Sequence, residues 1–185
     1  MCIVKFANND YYDISSLYRE LIYVTNPEKC LHQCKGTQDV ISDDIDYIYQ
    51  QFLLVKSVYN KNDGKPFHHL IISLKYKDTW DYNDAWVFAN HSLAYLPSEY
   101  QILYAVHEDH EYLHIHYIIN SINWFTGNRL NVNVDMINWI SQSTNNLEQF
   151  MNQKKQYEMK QAKKEEERIE RTREIEMLKL IKNRA

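Results

Sequence analysis

Glycine and proline are scarce in this chain of 185 residues, at three each. So few turn formers argue against a many-turned β-sandwich and against a disordered chain. Cysteine is equally rare: Cys2, Cys30 and Cys34 are odd in number and form no CxxC, which excludes a disulfide framework and a cysteine zinc site. No run approaches 18 consecutive apolar residues, so no membrane insertion is expected. The first ten residues have neither the basic region nor the apolar stretch of a signal peptide, and a reducing cytoplasm is the expected location. Apolar residues nevertheless make up 44% of the chain, enough for a packed core, and tyrosine is abundant at fifteen.

The net charge of −4 conceals an asymmetry. Residues 154–185 hold eleven Lys/Arg against seven Asp/Glu, leaving ten against eighteen in residues 1–153. An acidic body does not announce a nucleic-acid binder, because phosphate contacts need a local basic field. Charge for such a partner has to come from the tail, a bound cation or a local patch.

Periodicity outlines the elements. Residues 2–7 read as a strand. Asp13 can cap a helix whose stripe is Ile14, Leu17, Tyr18, Leu21 and Ile22, and Pro27 bars its extension. Tyr23 lies opposite that stripe. Residues 30–42 read as a loop and 43–59 as a second amphipathic helix. Residues 66–76 form a strand with Phe67, His69, Ile71 and Ser73 on one face and His68, Leu70, Ile72 and Leu74 on the other. A helix starting at Thr79 or Asp81 ends before Pro97. Strands follow at 101–107 and 112–120, joined by a charged turn at 108–111. A strand near 129–134 completes a meander, and the chain is helical from Asp135. The expected class is α+β: a central, mostly antiparallel sheet with helices on one face and the functional site on the other. The expected units are a domain over 1–141 and a charge-rich helical tail over 142–185.

Four of the eight histidines fall within 106–120. His114 and His116 are two apart on a strand, so both imidazoles leave the same face. His107 precedes the turn, and a hairpin returns it beside them. Three imidazoles converging from paired strands can hold one divalent metal and leave positions open. Asp109 is placed to orient one of the rings. His110 falls in the turn. His68 and His69 point to opposite faces and cannot easily enter one site together. No glutamate stands in an HExxH arrangement, which counts against a zincin protease. An open three-histidine site suits polarisation of a phosphate oxygen, and the tyrosines supply candidate nucleophiles.

Three segments carry a resemblance. His107-x-Asp109-x4-His114-x-His116-x3-Asn120 resembles the metal-binding motif of MOBP-class conjugative relaxases, in the HUH endonuclease superfamily. Leu21-Ile22-Tyr23-Val24-Thr25-Asn26-Pro27-Glu28-Lys29 is similar to that class's first motif, in which the tyrosine is the nucleophile. His69-Leu70-Ile71-Ile72-Ser73 is similar to the middle motif, whose serine helps position DNA. They occur in the family's order, and Thr126-Gly127-Asn128-Arg129-Leu130 fits a strand turn that often follows. The resemblance covers about residues 1–135. It implies an enzyme of conjugative mobilization that nicks one DNA strand at an origin of transfer, stays attached through a 5′-phosphotyrosine, and rejoins the strand by the reverse step. It implies Tyr23 as nucleophile, His107, His114 and His116 as metal ligands, Asp109 behind them, and Ser73 and Asn120 as DNA-binding residues. The cofactor is one divalent metal, Mn2+ or Mg2+ in cells, with Zn2+, Co2+ or Ni2+ also suited to imidazole. The implied partners are single-stranded DNA at the origin, accessory DNA-binding proteins and a conjugation coupling protein.

Two other readings compete. In a replication-initiator or transposase version of the superfamily the nucleophile follows the histidines on a helix, and Tyr157, in Tyr157-Glu158-Met159-Lys160, stands in such a YxxK. In a non-enzymatic metal-binding or DNA-tethering protein, the histidines are structural and the tail is the interaction element.

Overall fold

A computed structural model describes residues 1–7, 13–30, 34–75, 80–109 and 112–182. Tyr11, Tyr12, Thr79 and His110 lie outside the described residues, as do the side chains of Asp109, Leu178, Leu180 and Ile181. In chain order the elements are β1 (Ile3–Phe6), α1 (Ile14–Val24), β2 (Lys35–Gln38), α2 (Ile45–Val58), β3 (Phe67–Leu74), α3 (Tyr82–Ser92), β4 (Ile102–Asp109), β5 (Tyr112–Asn120) and α4 (Val134–Lys182).

Each of the first three helices begins where an aspartate can cap it. Asp13 accepts from Ser16 N–H, Asp44 accepts from the amides of Asp46 and Tyr47, and Asp81 forms a reciprocal capping box with Asp84. Asp81, not Thr79, is therefore the cap of α3. The strands form one antiparallel sheet in the order β1-β3-β5-β4-β2. The α+β class with an antiparallel sheet is the one expected.

The layering differs from expectation in one respect: helices cover both faces. Leu17, Leu21 and Val24 of α1 and Ile48 and Phe52 of α2 pack with Phe67, Leu103, Ala105 and Ile118 of the sheet. On the other face the Tyr117 hydroxyl meets Ser92 Oγ at 2.5 Å, and Tyr104 donates to Asn90 Oδ1 at 2.6 Å, which fastens α3. The physical reason is the near-continuous apolar run of β4 and β5, whose side chains are buried alternately under α1/α2 and under α3. Each fully buried leucine contributes about 1.5–3 kcal/mol to this packing.

Two other expectations change. The segment 30–42 contains β2, which pairs with β4 and sets Gly36 opposite Tyr104. The Tyr104 ring occupies the space a Cβ at Gly36 would need, so a short, polar strand is held by its neighbour rather than by its own propensity. The strand expected near 129–134 is reduced to an isolated bridge between Ile122 and Arg129. The chain is instead turned by Gly127, at φ +73°, and committed to α4, where Asn133 Oδ1 accepts from Met136 N–H at 2.9 Å.

The first compact unit spans Met1–Glu148 and the second Gln149–Ala185. The division falls beyond residue 141 because Thr144 and Glu148 are still fully buried. The described part of the second unit is an exposed, charge-rich stretch of helix. Among the described residues no helix is long and apolar enough to cross a membrane. Cys2, Cys30 and Cys34 are buried as thiols, and burial raises the pKa of each.

Candidate active site

Cross-strand register gathers the histidines. His107 pairs with His114 between β4 and β5, while β3 sets Ile71 beside His116 and Ser73 beside His114. Paired residues of an antiparallel ladder share a face, so His107, His114, His116, His69 and Ser73 all project to the α1 side. The rings of His107 and His116 lie with centroids 4.3 Å apart, and those of His114 and His116 6.5 Å apart.

Helix α1 ends directly over this cluster. Tyr23 is its penultimate residue, off the buried stripe and 41% exposed. Its ring stands edge-on to His107 at 5.9 Å and to His116 at 6.2 Å between centroids. The Lys29 ammonium sits 4.7 Å from the centre of the Tyr23 ring. A cleft of about 370 Å3 opens here, lined by Lys5, Ala7, Glu20, Tyr23, His69, Ile71 and His116. Thus the nucleophile candidate, one lysine and two of the imidazoles line one opening, with Lys29 over the Tyr23 ring, despite the acidic body. Tyr157, the rival nucleophile, is exposed on the part of α4 that belongs to the second unit.

The hydrogen bonds assign ring nitrogens. A carbonyl oxygen only accepts, so His107 Nε2 donates to Val24 O at 2.6 Å. Burial, together with the neighbouring His107, His69 and His114 rings, pushes the His116 pKa down to about 2, so its imidazole is neutral. His114 Nδ1 is buried with no hydrogen-bond partner among the described residues. A neutral imidazole and an orphaned buried nitrogen on one face are donor chemistry that suits a divalent cation. The rings are not closed into a finished coordination set, since among the described residues no three His, Cys, Asp or Glu side chains are gathered tightly enough to hold an ion. His107 Nε2 is spent on Val24 and His116 Nδ1 on His69.

The remaining site residues divide. Ser73 is half-buried on the histidine face, in register with His114. Asn120 is not brought to the opening. It is fully buried, its Oδ1 accepts from Lys56 Nζ at 2.6 Å, and its amide donates to Phe52 O and Gln101 Oε1. In this position Asn120 does not reach the opening where DNA contact was expected of it: its Oδ1 receives a buried lysine and its amide is taken by Phe52 and Gln101. Asn120→Ala is expected to cost about 1–3 kcal/mol of stability by removing one of the two acceptors of Lys56 Nζ, the other being Ser121 Oγ at 2.8 Å, and to leave single-stranded DNA affinity unchanged. Urea unfolding and an oligonucleotide titration check both.

Burial also pushes the Lys56 pKa from 10.5 down to about 7. The unfolded chain therefore binds more protons than the folded one between pH 7 and 10.5, and stability from this group rises with pH across that window. Urea unfolding at pH 7 and pH 9.5 should show the rise in the wild type and a smaller one in Lys56→Met.

Two site residues escaped the sequence reading. His69, left ambiguous there, has its Nε2 2.8 Å from His116 Nδ1 and its Nδ1 3.0 Å from Glu20 Oε1. Glu20 was not singled out, although it precedes Tyr23 by one helical turn and so shares its side of α1. The spacing of His69 four residues before Ser73 put the two on one face. His68, on the other face, packs edge-on to Phe6.

Comparison with known proteins supplies the family. The profile of relaxases described as "MobA/VirD2-like, nuclease domain" matches residues 23–172, most of the chain. The chain belongs to this relaxase family and carries its nuclease domain. Two curated relatives from Staphylococcus aureus, both called Protein rlx, are 28% identical over 106 residues and 26% identical over 110. These alignments cover 56% and 60% of this chain, and 32% and 33% of the relatives, so the chain spans about a third of their length. A solved structure titled "Molecular Basis of Vancomycin Resistance Transfer in Staphylococcus aureus" superposes with a TM-score of 0.59 at 13% identity, covering 83% of this chain and 93% of that one. That likeness is one of fold. Together they place this relaxase nuclease domain in the class its three motifs resemble.

Proposed function

We propose that this relaxase domain nicks and rejoins one DNA strand at an origin of transfer through a covalent 5′-phosphotyrosine on Tyr23, and so initiates conjugative mobilization. The observation that carries the reading is the seating of an exposed Tyr23 ring against His107 and His116 at the mouth of a cleft. His107, His114 and His116 would hold one divalent metal, Mn2+ or Mg2+ in cells, with Asp109 behind them. When bound, the ion supplies positive charge that polarises a phosphate oxygen.

The chain's own residues do the rest. The Tyr23 oxygen bonds to the scissile phosphorus as the bond to the 3′ oxygen breaks. The phenolic proton is lost and the 3′ oxygen gains one, so the step exchanges one phosphodiester for another and runs equally in reverse. Lys29 over the ring and Lys5 in the cleft offset phosphate charge. The partner is single-stranded DNA, and accessory DNA-binding proteins and a coupling protein belong to the same proposal, as does a cytoplasmic location.

The test is incubation with Mn2+ or Mg2+ and single-stranded oligonucleotides from the origin region of its own element, followed by a denaturing gel. A covalent adduct is expected, and its absence with every oligonucleotide from that region would sink the reading. Ser73 donates a hydrogen bond to a backbone phosphate in this arrangement, fixing register without reading bases. Loss of a bond to a charged group is worth about 1.5–3 kcal/mol, so Ser73→Ala should slow nicking about tenfold or more with metal affinity intact. An unchanged rate would reduce Ser73 to a strand residue.

A further inference from the structure

We infer that the second unit carries a DNA-contact surface of its own: a basic stripe along α4, from Lys160 to Lys179, that holds the phosphate backbone of duplex DNA. The inference goes beyond the chemistry of the cleft and depends on neither Tyr23 nor the metal. It gives the charge-rich helix a role. It also supplies a basic field to a chain whose residues 1–153 hold ten basic against eighteen acidic groups.

The stripe follows from the helical period. At about 100° per residue, positions three and four apart fall on one face. The series Lys160, Lys164, Arg168, Arg171, Ile175 and Lys179 steps by three or four throughout, inside α4. All of its members but Ile175 are cationic, and every one is exposed. The carboxylates of the segment fall on other faces, Glu166, Glu170 and Glu174 forming a row of their own. Lys160, Lys164 and Arg171 pair with no carboxylate among the described residues. Arg168 donates to Glu165 at 2.6 and 2.8 Å, but that pair is exposed, and such pairs are weak enough for a phosphate to displace.

The partner is decided by the shape of this row and by what surrounds it. Lys160 to Lys179 spans about 29 Å of helix, close to the roughly 34 Å of one B-DNA turn. Duplex DNA carries one negative charge per about 1.7 Å of its axis, a density that a linear row of cations matches better than scattered carboxylates would. A lipid surface needs an apolar face to bury. The face opposite the stripe, through Met159, Glu166, Glu170 and Arg173, is itself charged. An acidic partner helix needs a repeating apolar seam, and Ile175 alone interrupts the cations. Backbone contacts carry no base information, so the stripe holds any sequence and leaves the choice of cleavage site to the first unit.

Two charge-matched variants of the full chain test this. One combines Lys160→Gln, Lys164→Gln and Arg171→Gln, on the stripe. The other combines Lys155→Gln, Lys163→Gln and Arg173→Gln, on other faces of the same helix. Glutamine has nearly the helix propensity of Lys and Arg, so both should keep the wild-type far-ultraviolet circular dichroism. The probe is a fluorescent duplex of arbitrary sequence, titrated by anisotropy between about 50 and 200 mM NaCl. Loss of three phosphate contacts should lower the slope of log K against log salt by about 2.7. Across that range the wild type should therefore lose about 40-fold more affinity than the stripe variant, and the off-stripe variant should follow the wild type. No duplex binding by the wild type, equal slopes in all three proteins, or equal losses in the two variants would overturn the inference, the last because net charge alone would then suffice. Weaker binding of the stripe variant to phosphatidylserine vesicles or polyglutamate, with duplex binding intact, would also overturn it and assign the stripe to a membrane or an acidic protein. Adduct formation at saturating single-stranded oligonucleotide should be the same in all three, so the nicking reading and this one stand or fall separately.

Discussion

Tyr23→Phe is expected to fold, to bind Mn2+ and single-stranded DNA as the wild type does, and to form no covalent adduct. The substitution deletes one oxygen from a ring that is 41% exposed and lies off the buried stripe of α1, so packing loses almost nothing. Leu17, Leu21 and Val24 still hold the helix to the sheet. The edge-on contacts to His107 and His116 involve the ring and survive. What disappears is the only atom at that position able to bond to phosphorus, and the loss of adduct should be at least a thousandfold, roughly the scale of removing a nucleophile. Two controls give the result meaning. Tyr18→Phe removes a hydroxyl that bonds Asp46 at 2.7 Å on another part of the surface, and Tyr157→Phe alters the exposed α4; both should retain adduct formation. Peptide mapping of the trapped complex reads the answer directly. A phosphotyrosine at Tyr157 would make the enzyme initiator-like, and one at Tyr11 or Tyr12 would mean that the first motif begins earlier.

Much of this site was legible because its signals are local. His114 and His116 follow the two-residue period of a strand, and the short turn before them brings back His107 whatever the remaining fold. The apolar stripe over 14–22 and the aspartate before it define α1 and put Tyr23 on its open side. The missing parts depend on pairing between distant segments. Lys35–Gln38 has no pattern of its own and is a strand because β4 offers it an edge. His69 has a face by sequence, yet only the β3–β5 register, with Ile71 beside His116, brings it within 2.8 Å of His116. Asn120 carried a motif position, but the companion that claims its side chain, Lys56, is 64 residues away. The cover on both faces had a readable sign. Tyr117, Ile118 and Ile119 break the alternation that His114 and His116 keep earlier in β5, and a stretch buried on both sides reads as a continuous run.

Replacing His107, His114 and His116 together by alanine should abolish Mn2+ binding and nicking. Single-stranded DNA affinity should fall less, because Lys5, Lys29 and the basic helical segment remain. Among single changes His114→Ala is the most informative. Its Nδ1 has no protein partner among the described residues, so removing the ring strands no hydrogen bond there, and stability should change little beyond the lost packing. His107→Ala, by contrast, leaves the Val24 carbonyl without its donor, and a stability cost of about 1–3 kcal/mol would accompany any loss of metal. Changes behind a metal's ligands typically cost 10–100-fold in affinity, so loss of a ligand itself should exceed about 100-fold. The comparison separates a ligand from a structural histidine. A ligand's removal lowers the metal affinity of the folded protein whether or not the unfolding midpoint moves, whereas a structural histidine's removal lowers the midpoint and leaves stoichiometry at one ion in the folded fraction. Atomic absorption on the triple variant completes the test: an undiminished metal content would move the ion elsewhere and leave the three imidazoles as packing in the cleft under α1.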